Sequence, residues 1–272
     1  MTVGVIVAAV AAAFATGGGG AAPEGDAQPT PVQRLERVVR PSRPVARRAE
    51  VTLGESSEGR PITAIARNGV PTSASRRPGG PLVLVFGCIH GDECAGVGAV
   101  ERAIAGECPP PGDGLVVVPN LNPDGLALGT RLNGRGVDLN RNFGQDWRPG
   151  GAPGDLEYPG RRPFSEPETR IARQLIQALR PDVTIWFHQQ AEPLVRAWGP
   201  SVAAARDYAR LTGMRFVRLP WMDGTAPNWQ NNRFPGSASF VVELPDEVPI
   251  HGERQAQAIF RFAITLMHRG HG

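Results

Sequence analysis

From about residue 50 onward, apolar residues fall in short unbroken runs separated by amphipathic stretches, the pattern of an α/β domain. Leu82 to Phe86 is a continuous Leu/Val/Phe run that stops at a glycine, as expected of a strand covered on both faces. Leu115 to Val118 and Val183 to Phe187 repeat that signature, and Pro61 to Ala66, Arg215 to Leu219 and Ser239 to Val242 read as further strands. Between the first two buried runs, Glu93 to Ala105 carries Ala and Val at helical spacing, so the order is strand, helix, strand. Ser165-Glu166-Pro167-Glu168 predicts a helix start with a Ser cap and early acids, running to about Leu179 and stopped by Pro181. A closing helix is expected from about Glu253 to Met267, and no internal repeat is visible.

The first fifty residues have a different texture. Val3 to Ala15 is an apolar run too short to span a bilayer but suited to the core of an export signal, and Ala13-Phe14-Ala15 offers a small-x-small cleavage site. Residues 1–31 are therefore read as a signal peptide and flexible linker, 32–49 as an Arg-rich arm and 50–272 as one α/β domain. Export to the cell wall or medium follows from that reading; without it the protein would stay in the cytoplasm. No later segment has eighteen consecutive apolar residues, so no integral membrane span is expected.

Composition narrows the class further. Of 272 residues, 34 are Gly and 27 are Pro, too few for a collagen-like or low-complexity chain, and three cysteines cannot build a disulfide framework. The net charge is +3 and every basic residue is Arg. With neither a regular basic helix face nor an aromatic stacking platform, nucleic acid is not an expected partner. The Arg34, Arg37, Arg40, Arg43, Arg47 and Arg48 cluster reads as a solvated arm, or as a contact with an anionic surface such as cell-wall polymer.

Candidate chemistry collects at predicted strand ends. In Gly87-Cys88-Ile89-His90-Gly91-Asp92-Glu93, His90 and Glu93 stand three apart across a strand-to-helix turn, where an imidazole and a carboxylate can converge on one ion while Gly91 relieves the bend. His188 follows the Val183 to Phe187 run, at the edge of an α/β sheet where ligands bind. Two His and one Glu form the three-ligand set of a catalytic zinc with a fourth position open, a set that also accepts cobalt or manganese. Glu243 ends an apolar strand, where a carboxylate is costly to bury, and is the natural general base for an activated water if it faces the same cleft. The stretch from Asn120 to Phe143 reads as a long polar, Gly-rich loop. Within it, Arg131 and Arg141 can supply a fork for a substrate carboxylate and a charge for a developing oxyanion.

Taken together and in this order, these blocks resemble the zinc carboxypeptidase (M14) family, most of all its bacterial murein peptide amidase branch. The likeness is carried by His90-Gly91-Asp92-Glu93, Asn122-Pro123-Asp124-Gly125, Gly136-Val137-Asp138-Leu139-Asn140-Arg141-Asn142-Phe143 and Ser165-Glu166-Pro167-Glu168-Thr169, with Glu58-Gly59-Arg60-Pro61-Ile62 near the start. It covers roughly residues 50 to 268. The resemblance implies a three-layer α/β/α domain with a mixed, mainly parallel central sheet. It implies one zinc held by His90, Glu93 and His188, with Glu243 as the base and Arg131 assisting the oxyanion. Asn140 and Arg141 would grip the free carboxylate of the residue released, and Asp138 would orient the first His.

The implied activity is hydrolysis of a C-terminal amide bond in short peptides by a monomer, and the implied substrate is a peptidoglycan-derived peptide cut at a γ-D-glutamyl–diaminopimelate bond. Two other readings stand beside it: an N-acyl amino acid deacylase of the aspartoacylase or succinylglutamate desuccinylase type, and a non-catalytic cell-wall binding module. The Asn122 to Gly125 block argues against the first, and retention of Glu243 against the second. The chain departs from many digestive-type members, because neither Tyr158 nor Tyr208 lies in the Trp221 to Trp229 stretch where a substrate-covering Tyr is usual. Cys88 and Cys94 read as small buried residues, with a Cys94–Cys108 bridge open to an exported chain. His251, His268 and His271 receive no role.

Overall fold

The structure is a computed structural model that describes residues 49–67, 81–105, 114–189, 192–220, 222–245, 254–259 and 261–262. The proposed signal and linker, nearly all of the 32–49 arm, Cys108, His251, His268 and His271 lie outside the described residues.

The strands are β1 (Ala49–Glu55), β2 (Pro61–Arg67), β3 (Leu82–Phe86), β4 (Gly114–Val118), β5 (Val183–Gln189), β6 (Leu194–Ala197), β7 (Arg215–Arg218) and β8 (Ala238–Leu244). They form one eight-stranded sheet in the order β1-β2-β4-β3-β5-β8-β6-β7. The centre, β4-β3-β5-β8, is parallel, and β3, β4 and β5 are the buried apolar runs of the sequence. The β1–β2 hairpin joins β4 antiparallel at one edge, while β6 runs antiparallel to β8 and carries β7 beside it. The sheet is thus mixed and mainly parallel.

Strand alternation assigns the two faces. On β3, Leu82, Leu84 and Phe86 pack to one side with Ile171, Leu175, Ile176 and Trp229. Val83 and Val85 pack to the other with Ala99, Val100, Tyr208 and Ile259. The first side is covered by α3 (Pro167–Leu179) and α5 (Ala226–Arg233), the second by α1 (Ala95–Ala105), α4 (Val202–Thr212) and the helical residues 254–259 and 261–262. This is the three-layer arrangement expected.

The same alternation positions the chemistry. On β5, Trp186 faces the α3/α5 side and Phe187 the other, so His188, two residues beyond Trp186, returns to the α3/α5 side. On β8, Val241 faces that side while Phe240 and Val242 face away, so Glu243 turns the same way as His188. His188 and Glu243 are also paired residues of the parallel β5–β8 ladder, which seats them side by side.

The structure corrects four local readings. Helix α1 begins at Ala95 rather than Glu93, leaving His90 to Glu93 as a turn. Helix α3 begins at Pro167 with Glu166 in the capping position and no side-chain cap; Ser165 instead donates its hydroxyl to Glu166 Oε1. The Asn120 to Phe143 stretch is no surface excursion. It contains α2 (Pro123–Leu128) and a 3-10 turn (Leu139–Arg141), with Asn122, Asp124, Asn133, Asp138 and Asn142 buried. Finally, Cys94 pairs with Cys88 in a disulfide, not with Cys108, which closes a loop around His90 and Glu93.

Asp124 explains why two of the motifs occur together. Its carboxylate accepts from Ser56 Oγ (2.6 Å), Ser57 Oγ (2.9 Å), the Glu58 amide (3.0 Å) and Arg60 Nη1 (2.7 Å), so the Asn122-Pro123-Asp124-Gly125 block anchors the β1–β2 turn carrying Glu58-Gly59-Arg60. Glu168 holds the same turn from its other side, accepting from the Ser57 amide at 2.9 Å. Burial alone would raise the Asp124 pKa, but these donors outweigh it and hold the carboxyl below its ordinary value. A depressed folded-state pKa means the stabilisation is complete above the unfolded value of about 4 and is lost as pH falls through the folded one. Asp124→Asn is accordingly expected to lower stability by about 2 kcal/mol at neutral pH in urea unfolding, with the difference from the parent shrinking as pH falls below the unfolded value of about 4.

Candidate functional site

Three ligand atoms converge at the C-terminal edge of the central strands. Glu93 Oε2 lies 3.0 Å from His90 Nδ1 and 2.8 Å from His188 Nδ1, and all three donor atoms fall within 4.8 Å of one another. In a tetrahedral zinc centre with bonds near 2.0–2.1 Å, neighbouring ligand atoms stand about 3.3 Å apart, so this spacing fits the ion after small shifts. The donor chemistry fits as well, since two imidazoles and one carboxylate leave the fourth position open.

The elements around the site explain this convergence. His90 follows β3 directly, and Gly91 lets its loop approach α2: a Cβ there would sit 1.9 Å from the Gly125 carbonyl carbon. The glycine is thus required for close packing against α2 rather than for relief of the bend. Gln189 Oε1 accepts from the Ala95 amide at 2.7 Å, tying the end of β5 to the start of α1 just beyond Glu93. Beneath the histidines, Phe86 stacks on Trp186 with ring centres 3.9 Å apart, and Phe143 meets Trp186 edge-on.

Charges around the ligands are arranged in opposition. His90 Nε2 lies 3.1 Å from Asp138 Oδ1, which leaves Nδ1 for the Glu93 side. Asp138 Oδ2 also accepts from Arg131 Nε at 3.0 Å, and Arg131 Nη1 donates to Glu93 Oε1 at 2.8 Å. Burial works to raise the Asp138 pKa, but His90, Arg131 and Arg141 hold it down at about 2. Burial also opposes ionisation of Glu93, yet its hydrogen bonds to His188 and His90 hold its pKa well below the carboxylate range. For His90, burial favours the neutral ring, while its bonds to Asp138 and Glu93 more than offset that and raise its pKa.

The ligands open onto a cleft of about 260 Å³ that also takes in Arg131, Asn140, Arg141 and Glu243. Every residue singled out from the sequence therefore lines this cleft, save Asp138, which sits behind His90. Asn140 is more engaged than anticipated: its Oδ1 accepts from the Ala226 amide at 3.0 Å, and its Nδ2 stands 3.4 Å from His188 Nε2. An amide NH2 can only donate, so that second contact is a hydrogen bond only where His188 Nε2 carries no proton. Arg141 donates to the exposed Glu157 at 2.6 Å and to the Asn140 carbonyl at 3.0 Å. A solvent-facing partner of this kind is readily exchanged for an incoming carboxylate. Gly224, at φ +66°, brings the chain after β7 against Arg141, where a Cβ would lie 2.3 Å from the Arg141 carbonyl oxygen.

Sequence reasoning missed Arg196, Trp198 and Met222 in the cleft wall. Arg196 belongs to β6, a four-residue strand too short to announce itself by alternation, and its Nε lies 3.3 Å from Glu243 Oε1.

Residues 114–235 match the model of the zinc carboxypeptidase family, Peptidase_M14. The chain is 34% identical over 158 residues to murein peptide amidase A of Escherichia coli (strain K12), covering 54% of this chain and 64% of that protein. It is 32% identical over 183 residues to murein peptide amidase A of Vibrio campbellii, covering 60% of this chain and 68% of that one. The solved murein-tripeptide amidase from Escherichia coli O157 superposes with a TM-score of 0.60 at 27% identity, over 86% of this chain and 95% of that structure. The match thus spans somewhat under two thirds of the Escherichia coli relative's length.

Proposed function

Because the chain belongs to the zinc carboxypeptidase family, we propose that it is a zinc-dependent hydrolase that cuts the last amide bond of short peptides. One observation carries the reading: the donor atoms of His90, Glu93 and His188 meet in the cleft into which Glu243 projects from the neighbouring strand.

His90, Glu93 and His188 would hold the zinc, which would supply Lewis acidity toward a carbonyl oxygen and toward water. Glu243 takes the proton of the attacking water and returns it to the departing amine. Arg131 has five N–H donors and spends one on Glu93 and one on Asp138, which leaves donors for the oxygen that becomes negative. Arg141, with Asn140 beside it, binds the free carboxylate of the residue to be released, so a chain that continues past that residue loses the contact. Asp138 fixes the ring of His90.

The substrate of this reading is a peptidoglycan-derived peptide cut at the γ-D-glutamyl–diaminopimelate bond, supported by the names of the relatives and by the sequence blocks shared with that branch. The chain acts as a monomer beyond the cytoplasmic membrane. The apolar run Val3 to Ala15 and the Cys88–Cys94 bridge support that location.

The test is zinc content together with mass spectrometry of a muropeptide mixture incubated with the purified protein. One zinc per chain and loss of a single C-terminal residue are expected. Cleavage of N-acyl amino acids without cleavage of peptides would replace this reading with the deacylase, and zinc-free protein would remove the catalytic reading altogether.

A further inference from the structure

We infer that Arg196 is the residue that selects the substrate's released amino acid, by pairing with a second carboxylate carried on that amino acid's side chain. The inference rests on the function proposed above and deepens it.

The placement comes from the sheet. Leu194 pairs with Glu243, and Arg196 pairs with Val241, in the antiparallel β6–β8 ladder. Arg196 therefore lies one step deeper than Glu243 on the same face, and lines the cleft with Met222, Pro227 and Val241. Arg141 and Asn140 line the same cleft, so a residue whose α-carboxylate is held by Arg141 sends its side chain into a space walled by these groups.

The charges in the cleft set the chemistry of that side chain. Among its three guanidinium groups, Arg131 is committed to Glu93 and Asp138, and Arg141 suffices for one terminal carboxylate. Arg196 is the surplus cation. Its side chain is 24% exposed, and among the described residues its ion pair is with Glu243 through Nε. A guanidinium engaged on its Nε edge keeps further N–H donors with which to grip a carboxylate in a fork. Val241 beside it on β8, with Met222 and Pro227 in the same cleft wall, strengthens an ion pair by excluding water and leaves a neutral side chain nothing to offset the desolvated charge. A lysine-like side chain would set like charges against each other; an acidic one, or the far end of a diamino diacid, completes the pair.

The proposal is tested with two synthetic peptides, L-Ala-γ-D-Glu-meso-diaminopimelate and L-Ala-γ-D-Glu-L-Lys, which differ only in the distal carboxylate. Hydrolysis is measured for the parent, Arg196→Met and Arg196→Lys, and binding of free diaminopimelate and free lysine is followed by calorimetry on the zinc-loaded proteins. The parent is expected to favour the diaminopimelate peptide by about 10- to 100-fold in kcat/KM, the difference lying in KM. Arg196→Met should collapse that ratio toward unity, and Arg196→Lys should restore part of it. A ratio unchanged in Arg196→Met, or kcat lowered equally for both peptides, would show that Arg196 only positions Glu243 and would overturn the inference. If neither peptide is cut but free diaminopimelate still binds more tightly in an Arg196-dependent way, the hydrolase reading fails, and what stands is the pairing of Arg196 with the distal carboxylate, not the selection of a released residue. Cleavage with an Arg196-independent preference has the reverse meaning, and loss of both cleavage and binding sinks both.

Discussion

Glu243→Gln is expected to lower kcat for peptide hydrolysis by about 100- to 10,000-fold while the protein keeps one zinc per chain. The substitution preserves the volume of a side chain buried at the end of β8, and Gln still offers an oxygen to Arg196. It removes the group that accepts a proton, and it leaves His90, Glu93 and His188 untouched, so metal content and activity should separate. KM should change little, because Glu243 holds no part of the substrate that Arg141 does not already hold. Metal analysis beside single-turnover hydrolysis settles the point: a variant that loses zinc as well would mark Glu243 as structural, and an active one would take the base away from this residue.

Arg131→Met should cost about 100- to 1,000-fold in kcat, read by steady-state kinetics at saturating zinc, with KM again little moved. A guanidinium that stabilises charge only as it develops acts on the transition state, whereas Arg141, proposed to meet a carboxylate already present in the substrate, would act on binding. Arg131→Lys retains the charge but not the fork, so it should recover part of the rate and not all of it. Because Arg131 also donates to Glu93 and Asp138, weaker zinc retention in Arg131→Met at limiting metal is part of the expected result. A variant with unchanged kcat would show that Arg131 serves the ligands alone.

The parts of the fold legible in the sequence are those whose side chains are buried on both faces. Leu82 to Phe86, Leu115 to Val118 and Val183 to Phe187 are unbroken apolar runs because helices cover them above and below, and each lies in the parallel centre of the sheet. Strand β1 escapes such a reading because its alternation is confined to Glu50–Leu53 and ends at Gly54 and Glu55, and β6 because four residues hold too little pattern. Helix α2 was read as loop for a similar reason: Asn122, Pro123, Asp124 and Gly125 are turn formers by local preference, and here they start a six-residue helix capped by Asn122. The metal set was visible because ligand types are few and strand ends are where they gather. Arg196 was not, since a lone Arg in a short edge strand looks like any solvated charge until β8 is seen to bring Glu243 beside it.

The alternation that sets His188 and Glu243 on one face also governs which changes of chain length such a protein tolerates. One residue inserted within β5 or β8 ahead of either side chain would turn it to the opposite face, among Phe187, Val242 and Leu244, and separate base from ligands in a single event. Additions or losses between β7 and α5 fall outside both strands, where Met222 and Thr225 line the cleft, so they reshape its wall and leave the β5–β8 register as it is. In a lineage of such sequences the lengths of these two strands are therefore fixed, while that connection is free to vary.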